Sequence, residues 1–233
     1  MYTCAIVVAA GKGARLRSAV SKPLVRLGQK PVLLYSLQTL SECPRIKAVV
    51  VVANRSNRQA IKRMISAYGL SKVIGIVEGG ERRQDSVISG LKALPKQCDY
   101  VFIHDAARPL IDTASLERLI KGVQKTGAAI PGVPVKSTIK EVQRSGGSGA
   151  SRVIRTLDRG RLWEIQTPQA FKKSIIMKAY DSFGMIEVTD DSALVEKLGV
   201  PVSLIMGSYE NMKITTPEDL CMAAALLKER NAR

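Results

Sequence analysis

The chain has 233 residues, of which 45% are hydrophobic and 24% charged, a composition that excludes wholesale disorder and permits one large α/β domain. No apolar run approaches the ~20 residues that a membrane span needs, so no span is expected. The 36 Lys and Arg against 20 Asp and Glu give a net charge of +16, which favours polyanionic partners such as nucleic acid, acidic membranes or nucleoside triphosphates without choosing among them.

Apolar, β-branched runs alternate along the chain with segments in which apolar residues recur every three or four positions. The runs predict buried strands at residues 4–9, 48–53, 73–77, 100–103 and 128–133, and the intervening segments predict helices at 31–40, 57–68, 82–94 and 113–125. This alternation is typical of an α/β fold with a mostly parallel, twisted sheet and helices on both faces. A ligand is then expected beyond the carboxyl ends of the strands.

The alternation stops after Val135. A Gly/Ser stretch at 145–151 lies between β-branched runs at 139–142 and 153–157, which predicts a projecting β-hairpin arm at about 136–161. The whole chain, 1–233, is then one domain; a disordered linker between two domains is the alternative. The pattern beyond the arm predicts helices at 172–183 and 192–198, a strand at 202–205, and a last helix from Pro217 with Thr216 as its N-cap.

The four cysteines stand singly, and the chain has one histidine, His104. A zinc site or a disulfide framework needs clustered ligands, so neither is expected. We expect free buried thiols in a reducing compartment. We expect His104 to be a packed, hydrogen-bonded residue and not a catalytic base.

A glycine-containing loop follows the first predicted strand: Ala9-Ala10-Gly11-Lys12-Gly13-Ala14-Arg15-Leu16. Gly11 and Gly13 allow backbone N–H groups to approach a polyphosphate closely, while Arg15 and the later Lys22 add positive charge. The spacing fits neither the dinucleotide fingerprint nor the Walker loop. A tight structural turn explains the glycines equally well when the loop is considered alone.

A second loop, Gly79-Gly80-Glu81-Arg82-Arg83-Gln84-Asp85-Ser86, lies between a predicted strand and helix. Its backbone and the Ser86 hydroxyl can hydrogen-bond the polar edge of a base or a ribose. The structural alternative is helix capping, in which Glu81 and Asp85 favour the positive end of the following helix. Both roles are compatible.

A third motif, His104-Asp105-Ala106-Ala107-Arg108-Pro109, ends the fourth predicted strand. A carboxylate there, facing a phosphate loop, suits Mg²⁺, which takes one or two carboxylates together with phosphate oxygens. The planar guanidinium of Arg108 fits a phosphate or a carboxylate. A buried ion pair between Asp105 and Arg108 is the structural alternative.

In their joint order, these three segments resemble the cytidylyltransferases of isoprenoid-precursor synthesis, which are Rossmann-like nucleotidyltransferases. The resemblance extends over nearly the whole chain through Thr156-Leu157-Asp158-Arg159, Thr167-Pro168-Gln169, Thr189-Asp190-Asp191 and Asn211-Met212-Lys213. The family usually places Pro before its second catalytic lysine and Gln after it, whereas this chain has Ser21-Lys22-Pro23. Because Lys22 still lies seven residues beyond Arg15, its role is carried over.

The resemblance implies an enzyme that transfers the cytidylyl group of CTP to 2-C-methyl-D-erythritol 4-phosphate, releases pyrophosphate and uses Mg²⁺ bound by Asp105. The implied catalytic residues are Arg15, Lys22 and Lys213. The implied nucleotide site comprises Ala9, Ala10, Gly11, Gly13, Gly80, Glu81 and Ser86. The implied acceptor site comprises Asp105, Arg108, Thr138, Arg159, Thr189 and Lys213. The resemblance further implies a homodimer in which the arm completes the partner's site, in the bacterial cytoplasm or a plastid stroma.

Three other functions stay open at this point. Ribitol 5-phosphate is a similar short polyol phosphate and a substrate of a related cytidylyltransferase. The net charge of +16 is compatible with nucleic-acid binding, although aromatic residues for base stacking make up only 4% of the chain. An inactive relative that serves as a scaffold is the third, and the presence of Lys22, Asp105 and Lys213 argues against it.

Overall fold

The computed structural model describes residues 1–11, 21–143 and 151–232. Arg15 and Gly13, predicted in the first loop, therefore lie outside the described residues, as does the tip of the arm. The helices are α1 Val32–Glu42, α2 Arg55–Ala67, α3 Arg83–Lys92, α4 Thr113–Thr126, α5 Lys173–Phe183, α6 Ser192–Lys197 and α7 Pro217–Ala232. The strands are β1 Thr3–Val8, β2 Arg26–Leu27, β3 Lys30–Pro31, β4 Ile46–Ala53, β5 Val73–Glu78, β6 Tyr100–Asp105, β7 Ala128–Pro134, β8 Lys140–Gln143, β9 Arg152–Thr156, β10 Trp163–Ile165, β11 Gln169–Lys172 and β12 Ser203–Met206.

Eight of the described strands form one sheet in the order β10-β7-β11-β6-β1-β4-β5, with β12 paired to the outer side of β7. Strand β1 pairs in parallel with β4 and β6, and β4 pairs in parallel with β5. Among the described strands of this sheet, only β10 and β11 run antiparallel to their neighbours. The predicted mostly parallel α/β sheet is thus confirmed, and the carboxyl ends of β1, β4, β5 and β6 meet at one edge.

The sheet is covered by helices on both faces because successive side chains of a buried strand point to opposite sides. Ala5 and Val7 of β1 pack with α1, α2 and α4. Cys4 and Ile6 pack with α3, α5 and α6. A third apolar cluster, which includes Leu27 and Ala223, seats α7 against the strand pair β2–β3 and the start of α1.

Helix boundaries follow caps more closely than apolar spacing. Helix α2, predicted from residue 57, begins at Arg55 because Asn54 and Asn57 exchange hydrogen bonds across the first turn, in which each side-chain oxygen accepts from the other residue's backbone N–H at 3.0 Å. Thr216 caps α7 as predicted, since its hydroxyl oxygen accepts from the backbone N–H of Asp219. Asp112 caps α4 in the same way.

The predicted arm is present as the antiparallel pair β8–β9. Strand β9 is exposed along its whole length, and Val142, Val153 and Ile154 are large apolar side chains open to solvent. An isolated two-stranded ribbon is marginally stable in water. An exposed apolar ribbon of this kind is typical of a surface that another chain covers.

The sequence pattern missed β10 and β11. Each is short and contains polar residues, and each is defined by pairing with a strand that lies far away in the chain. Cysteines 4, 43 and 98 are buried free thiols as expected, whereas Cys221 is exposed. None of the helices in the described ranges is long and apolar enough to cross a membrane.

Candidate active site

A cavity of about 1110 Å³ opens at the sheet edge where β1, β4, β5 and β6 end. Its wall contains the predicted residues Ala9, Ala10, Gly11, Lys22, Gly80, Glu81, Ser86, Asp105 and Lys213. We call it the large cavity. It lies where a parallel sheet is expected to bind its ligand.

Two asparagines of α2 hold the loop that follows β1. The Asn57 side-chain amide donates to the Ala9 carbonyl at 2.9 Å, and that of Asn54 donates to the Ala10 carbonyl at 3.1 Å. The carbonyls of this loop therefore point toward α2. The spacing of the two asparagines is typical of a helix cap and can be recognised in the sequence. Their contacts with the first loop cannot, because they form only when the sheet brings β1 next to α2.

Lys22 borders the large cavity from a short 3₁₀ turn, Lys22–Leu24, whose Pro23 is buried. The preceding Ser21 accepts a hydrogen bond from Asn57 at 3.0 Å. The same asparagine thus contacts the residues on both sides of the glycine loop. Although Ser21 and Pro23 differ from the residues that usually flank this lysine in the family, Lys22 still lies at the cavity wall.

The second loop packs tightly beneath the first. A Cβ at Gly79 would lie 2.5 Å from the Ala10 Cβ and 2.6 Å from the Ser86 Oγ, so only glycine fits there. Gly80, Glu81 and Ser86, which were predicted to bind the nucleotide, border the cavity. Asp85 has a capping role instead, accepting from the Arg82 backbone N–H at 3.0 Å and forming an ion pair with the Arg82 side chain.

The described wall of the large cavity contains more cationic than acidic side chains. Two carboxylates, Glu81 and Asp105, face five cationic side chains across its described lining. The cations are Lys22, Arg55, Arg82, Arg83 and Lys213. Arg55 pairs with Glu78 and Arg82 pairs with Asp85, while Arg83 pairs with Asp105 and Asp191. The wall therefore presents cationic groups that can face a polyanion, with much of their charge balanced by nearby carboxylates.

Asp105 is at the centre of the site. Its Oδ2 accepts from Lys213 Nζ at 2.5 Å, and its Oδ1 accepts from Arg83 Nε at 3.0 Å. Burial alone would raise the pKa of Asp105, but the charges of Arg83 and Lys213 outweigh burial and hold that pKa well below its ordinary value. Asp105 is therefore ionised across the physiological pH range.

Arg83 is a charged residue of the site that the sequence pattern did not single out. Its Nη1 lies 2.9 Å from Oδ2 of Asp191, so its guanidinium bridges Asp105 and Asp191. Asp191 is fully buried, and its Oδ1 accepts from the Tyr180 hydroxyl at 2.5 Å. Burial raises the pKa of Tyr180, so the phenol keeps its proton and acts as the donor.

A second cavity of about 460 Å³ adjoins the first. We call it the small cavity. Arg83, Asp105 and Lys213 border both cavities. The rest of its polar lining supplies hydroxyl, amide and carboxylate groups, with Arg108 as a further cation. The polar residues are Arg108, Gln166, Thr167, Gln169, Thr189, Asp190, Ser192 and Glu196.

Arg108 does not pair with Asp105, which overturns the structural alternative for that motif. Its Nη1 donates to the Asn211 carbonyl at 2.6 Å and its Nη2 to the Ile165 carbonyl at 3.2 Å. The Arg108 Nε is buried and has no hydrogen-bond partner among the described residues. The guanidinium is thus held at the small cavity by carbonyl groups and forms no ion pair among the described residues, although the charges of Asp105 and Glu164 act on it.

His104 is buried beneath this site, as expected. Its Nδ1 lies 3.1 Å from the Thr167 hydroxyl, and its Nε2 lies 3.1 Å from the Arg108 carbonyl. Because Thr167 Oγ1 accepts from the Asp105 backbone N–H, its own proton is available to Nδ1, which places the imidazole proton on Nε2. Burial lowers the pKa of His104 to about 4, so the ring is neutral at pH 7.

Thr138 and Arg159, predicted to bind the acceptor, line neither cavity of their own chain. Thr138 is exposed, and Arg159 donates to the Lys136 carbonyl at 2.8 Å. Both therefore lie on the arm, away from the site that the remaining residues form. Thr189, in contrast, borders the small cavity as predicted.

Comparison with known proteins identifies the family. Residues 3–229 match the family model described as IspD: 2-C-methyl-D-erythritol 4-phosphate cytidylyltransferase. The chain is 45% identical to the protein of that name from Dehalococcoides mccartyi, with 97% of this chain and 96% of that protein covered. It is 42% identical to the one from Desulforamulus reducens, with coverage of 97% and 96%.

A solved structure shows the same architecture. The 4-diphosphocytidyl-2C-methyl-D-erythritol synthase of Anaerococcus prevotii has a TM-score of 0.84 and 32% sequence identity with this chain, and the match covers 97% of this chain and 96% of that one. On these grounds the chain belongs to the IspD family of 2-C-methyl-D-erythritol 4-phosphate cytidylyltransferases.

Proposed function

We propose that the chain transfers the cytidylyl group of CTP to 2-C-methyl-D-erythritol 4-phosphate and releases pyrophosphate. The observation that carries the proposal is the junction of two polar cavities at Arg83, Asp105 and Lys213 in a member of this family. The large cavity has room for a nucleoside triphosphate, and its lining includes cationic side chains that can face the phosphates. The small cavity matches a short polyol phosphate in its hydroxyl and amide lining.

CTP is proposed to lie in the large cavity. Its cytosine and ribose contact the loops at Ala9–Gly11 and Gly80–Ser86, mainly through backbone groups, and the close approach of these loops excludes a purine by size. Lys22 and Arg55 border the cavity that receives the triphosphate. The predicted Gly13 and Arg15 belong to the same loop in sequence, and their contribution is part of the proposal.

The acceptor phosphate is proposed to attack the α-phosphorus, forming a new P–O bond while the bond to the β-phosphate breaks and pyrophosphate leaves. The nucleophile is already an anion, so the site needs no general base, and the buried neutral His104 is consistent with that. Catalysis then comes from alignment and from cations that stabilise the five-coordinate phosphorus. Lys22, Lys213 and Arg15 are the proposed catalytic cations.

Magnesium is the proposed cofactor, with Asp105 as its protein ligand. An ionised carboxylate has about four acceptor positions; Arg83 and Lys213 use one each on Asp105, so positions remain for a cation. The described residues contain no cluster of three or more His, Cys, Asp and Glu side chains that could hold a metal, so phosphate oxygens and water must supply most ligands. When bound, the ion would neutralise triphosphate charge.

The acceptor is proposed to lie in the small cavity, where Arg108, Thr189, Asp105 and Lys213 contact it. Thr138 and Arg159 are proposed to reach the site of a second subunit, because they are on the exposed arm and away from their own cavities. This makes the active enzyme a homodimer. A partner that covers Val153 and Ile154 would also stabilise the ribbon.

The family match favours methylerythritol phosphate over ribitol 5-phosphate, and it favours an enzyme over a nucleic-acid-binding protein or an inactive scaffold. The relatives named above are bacterial, so we propose the bacterial cytoplasm rather than a plastid stroma.

Pyrophosphate release tests the function directly. We expect release from CTP with methylerythritol phosphate and Mg²⁺, a much lower rate with ATP, GTP or UTP, and a much lower rate with ribitol 5-phosphate. No release with any nucleotide in the presence of methylerythritol phosphate would overturn the proposal. Preference for ribitol 5-phosphate would overturn the choice of acceptor.

A further inference from the structure

Asp191 is a buried carboxylate behind the active site. It is fully buried, lies just before α6 and lines neither cavity. A buried charge is costly unless it is paired and hydrogen-bonded. The presence of a buried carboxylate at residue 191 therefore requires a physical explanation.

Asp191 is fixed from several sides. The Gln169 Oε1 accepts from the backbone N–H groups of Asp191 and Ser192, each at 3.1 Å. Tyr180 donates to the Asp191 Oδ1, and the Asp191 Oδ2 lies against Arg83. These contacts come from α5, β11 and α3, so the carboxylate is a rigid point of attachment.

The guanidinium of Arg83 joins this attachment point to the reaction site. One side of it pairs with Asp191 Oδ2 at 2.9 Å, and its Nε donates to Asp105 Oδ1 at 3.0 Å. The planar fork of an arginine suits such a two-sided arrangement better than the single ammonium of a lysine. The orientation of the Asp105 carboxylate is thus set by Arg83 on one side and by Lys213 on the other.

We infer that Asp191 is a positioning residue for cytidylyl transfer: it anchors Arg83 and, through Arg83, holds Asp105 and Lys213 in register where the two cavities meet. This inference rests on the proposed function. It assigns no contact between Asp191 and substrate. A merely structural Asp191, which only ties α5 to α6, is the competing explanation.

The charge balance at the junction explains why anchoring matters. Arg83 and Lys213 face Asp105 and Asp191, so the cluster is balanced before an anionic substrate arrives. Without the Asp191 charge, Arg83 is a surplus cation with one attachment, and incoming phosphates attract it. Ground-state binding of the anions is then preserved or strengthened, while Asp105 and Lys213 lose alignment.

The test is Asp191→Asn, which keeps the side-chain shape and an oxygen for the Tyr180 hydroxyl but removes the charge. We expect kcat to fall by about 10- to 100-fold, since a misplacement of ~1 Å can cost about 10²-fold in rate. The KM values for CTP and for methylerythritol phosphate should rise by no more than about twofold. The matched control is Asp181→Asn, an exposed charge on α5, which should leave kcat and both KM values unchanged.

Tyr180→Phe separates positioning from stability. It removes a hydrogen bond to Asp191 but keeps the pair with Arg83, so we expect a lower free energy of unfolding with kcat within about threefold of the wild type. If Asp191→Asn does not fold, Arg83→Lys replaces it, with the same expected loss of kcat and retained KM. The inference is overturned if the charge-removing variant keeps its kcat, or if Tyr180→Phe loses kcat equally.

Wild-type turnover separates this inference from the proposed function. If the wild type releases no pyrophosphate from CTP and methylerythritol phosphate, the proposed function fails and the inference falls with it. If the wild type is active and Asp191→Asn matches it, the inference alone is overturned.

Discussion

Removing the buried histidine should flatten the acid dependence of stability. His104 is fully buried, and burial lowers its pKa from an ordinary 6.5 to about 4. Below pH 6.5, His104 therefore becomes protonated in the unfolded chain, whereas in the folded chain it stays neutral down to about pH 4. Stability from this group is complete above pH 6.5 and is lost as the pH falls through the window between those values.

The size of the effect follows from the two pKa values. Proton uptake by the unfolded state lowers the free energy of unfolding by about 2 kcal/mol between pH 7 and pH 5. In His104→Gln the group that titrates is absent, while an amide N–H remains available to the Arg108 carbonyl. The variant should be less stable at pH 7 by about 1–3 kcal/mol because the Thr167 hydroxyl loses its partner.

Urea unfolding of both proteins at pH 7 and at pH 5 measures this prediction. Carboxylates titrate in both proteins, so the difference between the two pH dependences isolates His104. We expect the wild type to lose about 2 kcal/mol more than the variant over this interval. If the two proteins lose stability equally, the assignment of a buried neutral imidazole is wrong.

Two predictions concern catalysis. Lys22→Ala should lower kcat at saturating CTP by about 10²- to 10³-fold, the usual cost of losing one electrostatic contact to a transition state; an unchanged steady-state rate would remove Lys22 from the catalytic residues. Arg159→Ala should be inactive alone. When it is mixed in equal amounts with Lys22→Ala and the subunits exchange, about half of the dimers contain one subunit of each kind. In each mixed dimer, one of the two sites combines an intact cavity with an intact arm, so about a quarter of all sites should regain activity. No recovery on mixing, with dimers confirmed by sedimentation, would contradict an arm that acts on the partner.

The parallel strands β1, β4, β5 and β6 and the edge at which the large cavity opens were predictable because they depend on local patterns. A run such as Ala48–Ala53 is buried on both faces only in a covered parallel sheet, and the loops that follow such runs must meet at one edge. The arm was predictable for the same reason, from two β-branched runs around a Gly/Ser turn. In the folded chain, the first loop, the second loop and Asp105 all border the large cavity at this edge.

The electrostatic network was not predictable from sequence order. Arg83 opens a helix beside Arg82, and a pair of arginines there is usually a solvated surface. Its partners Asp105 and Asp191 come from β6 and from the residue before α6, so only the folded sheet brings them together. For Arg108, proximity in sequence to Asp105 left an ion pair open as the structural alternative, whereas its partners in the structure are the carbonyls of Ile165 and Asn211.

The end of β6 also explains how one strand serves both structure and chemistry. Adjacent residues of a strand point to opposite faces, so His104 contacts Ser36 on α1 while Asp105 contacts Arg83 on α3. A charged imidazole next to Asp105 would compete with Lys213 and Arg83 for the same carboxylate. Burial keeps His104 neutral, and its hydrogen bonds then fix Thr167 and the Arg108 turn without adding charge. Asp105, which borders both cavities, is therefore paired only with Arg83 and Lys213 among the described residues, and these two cations can control the position of its carboxylate.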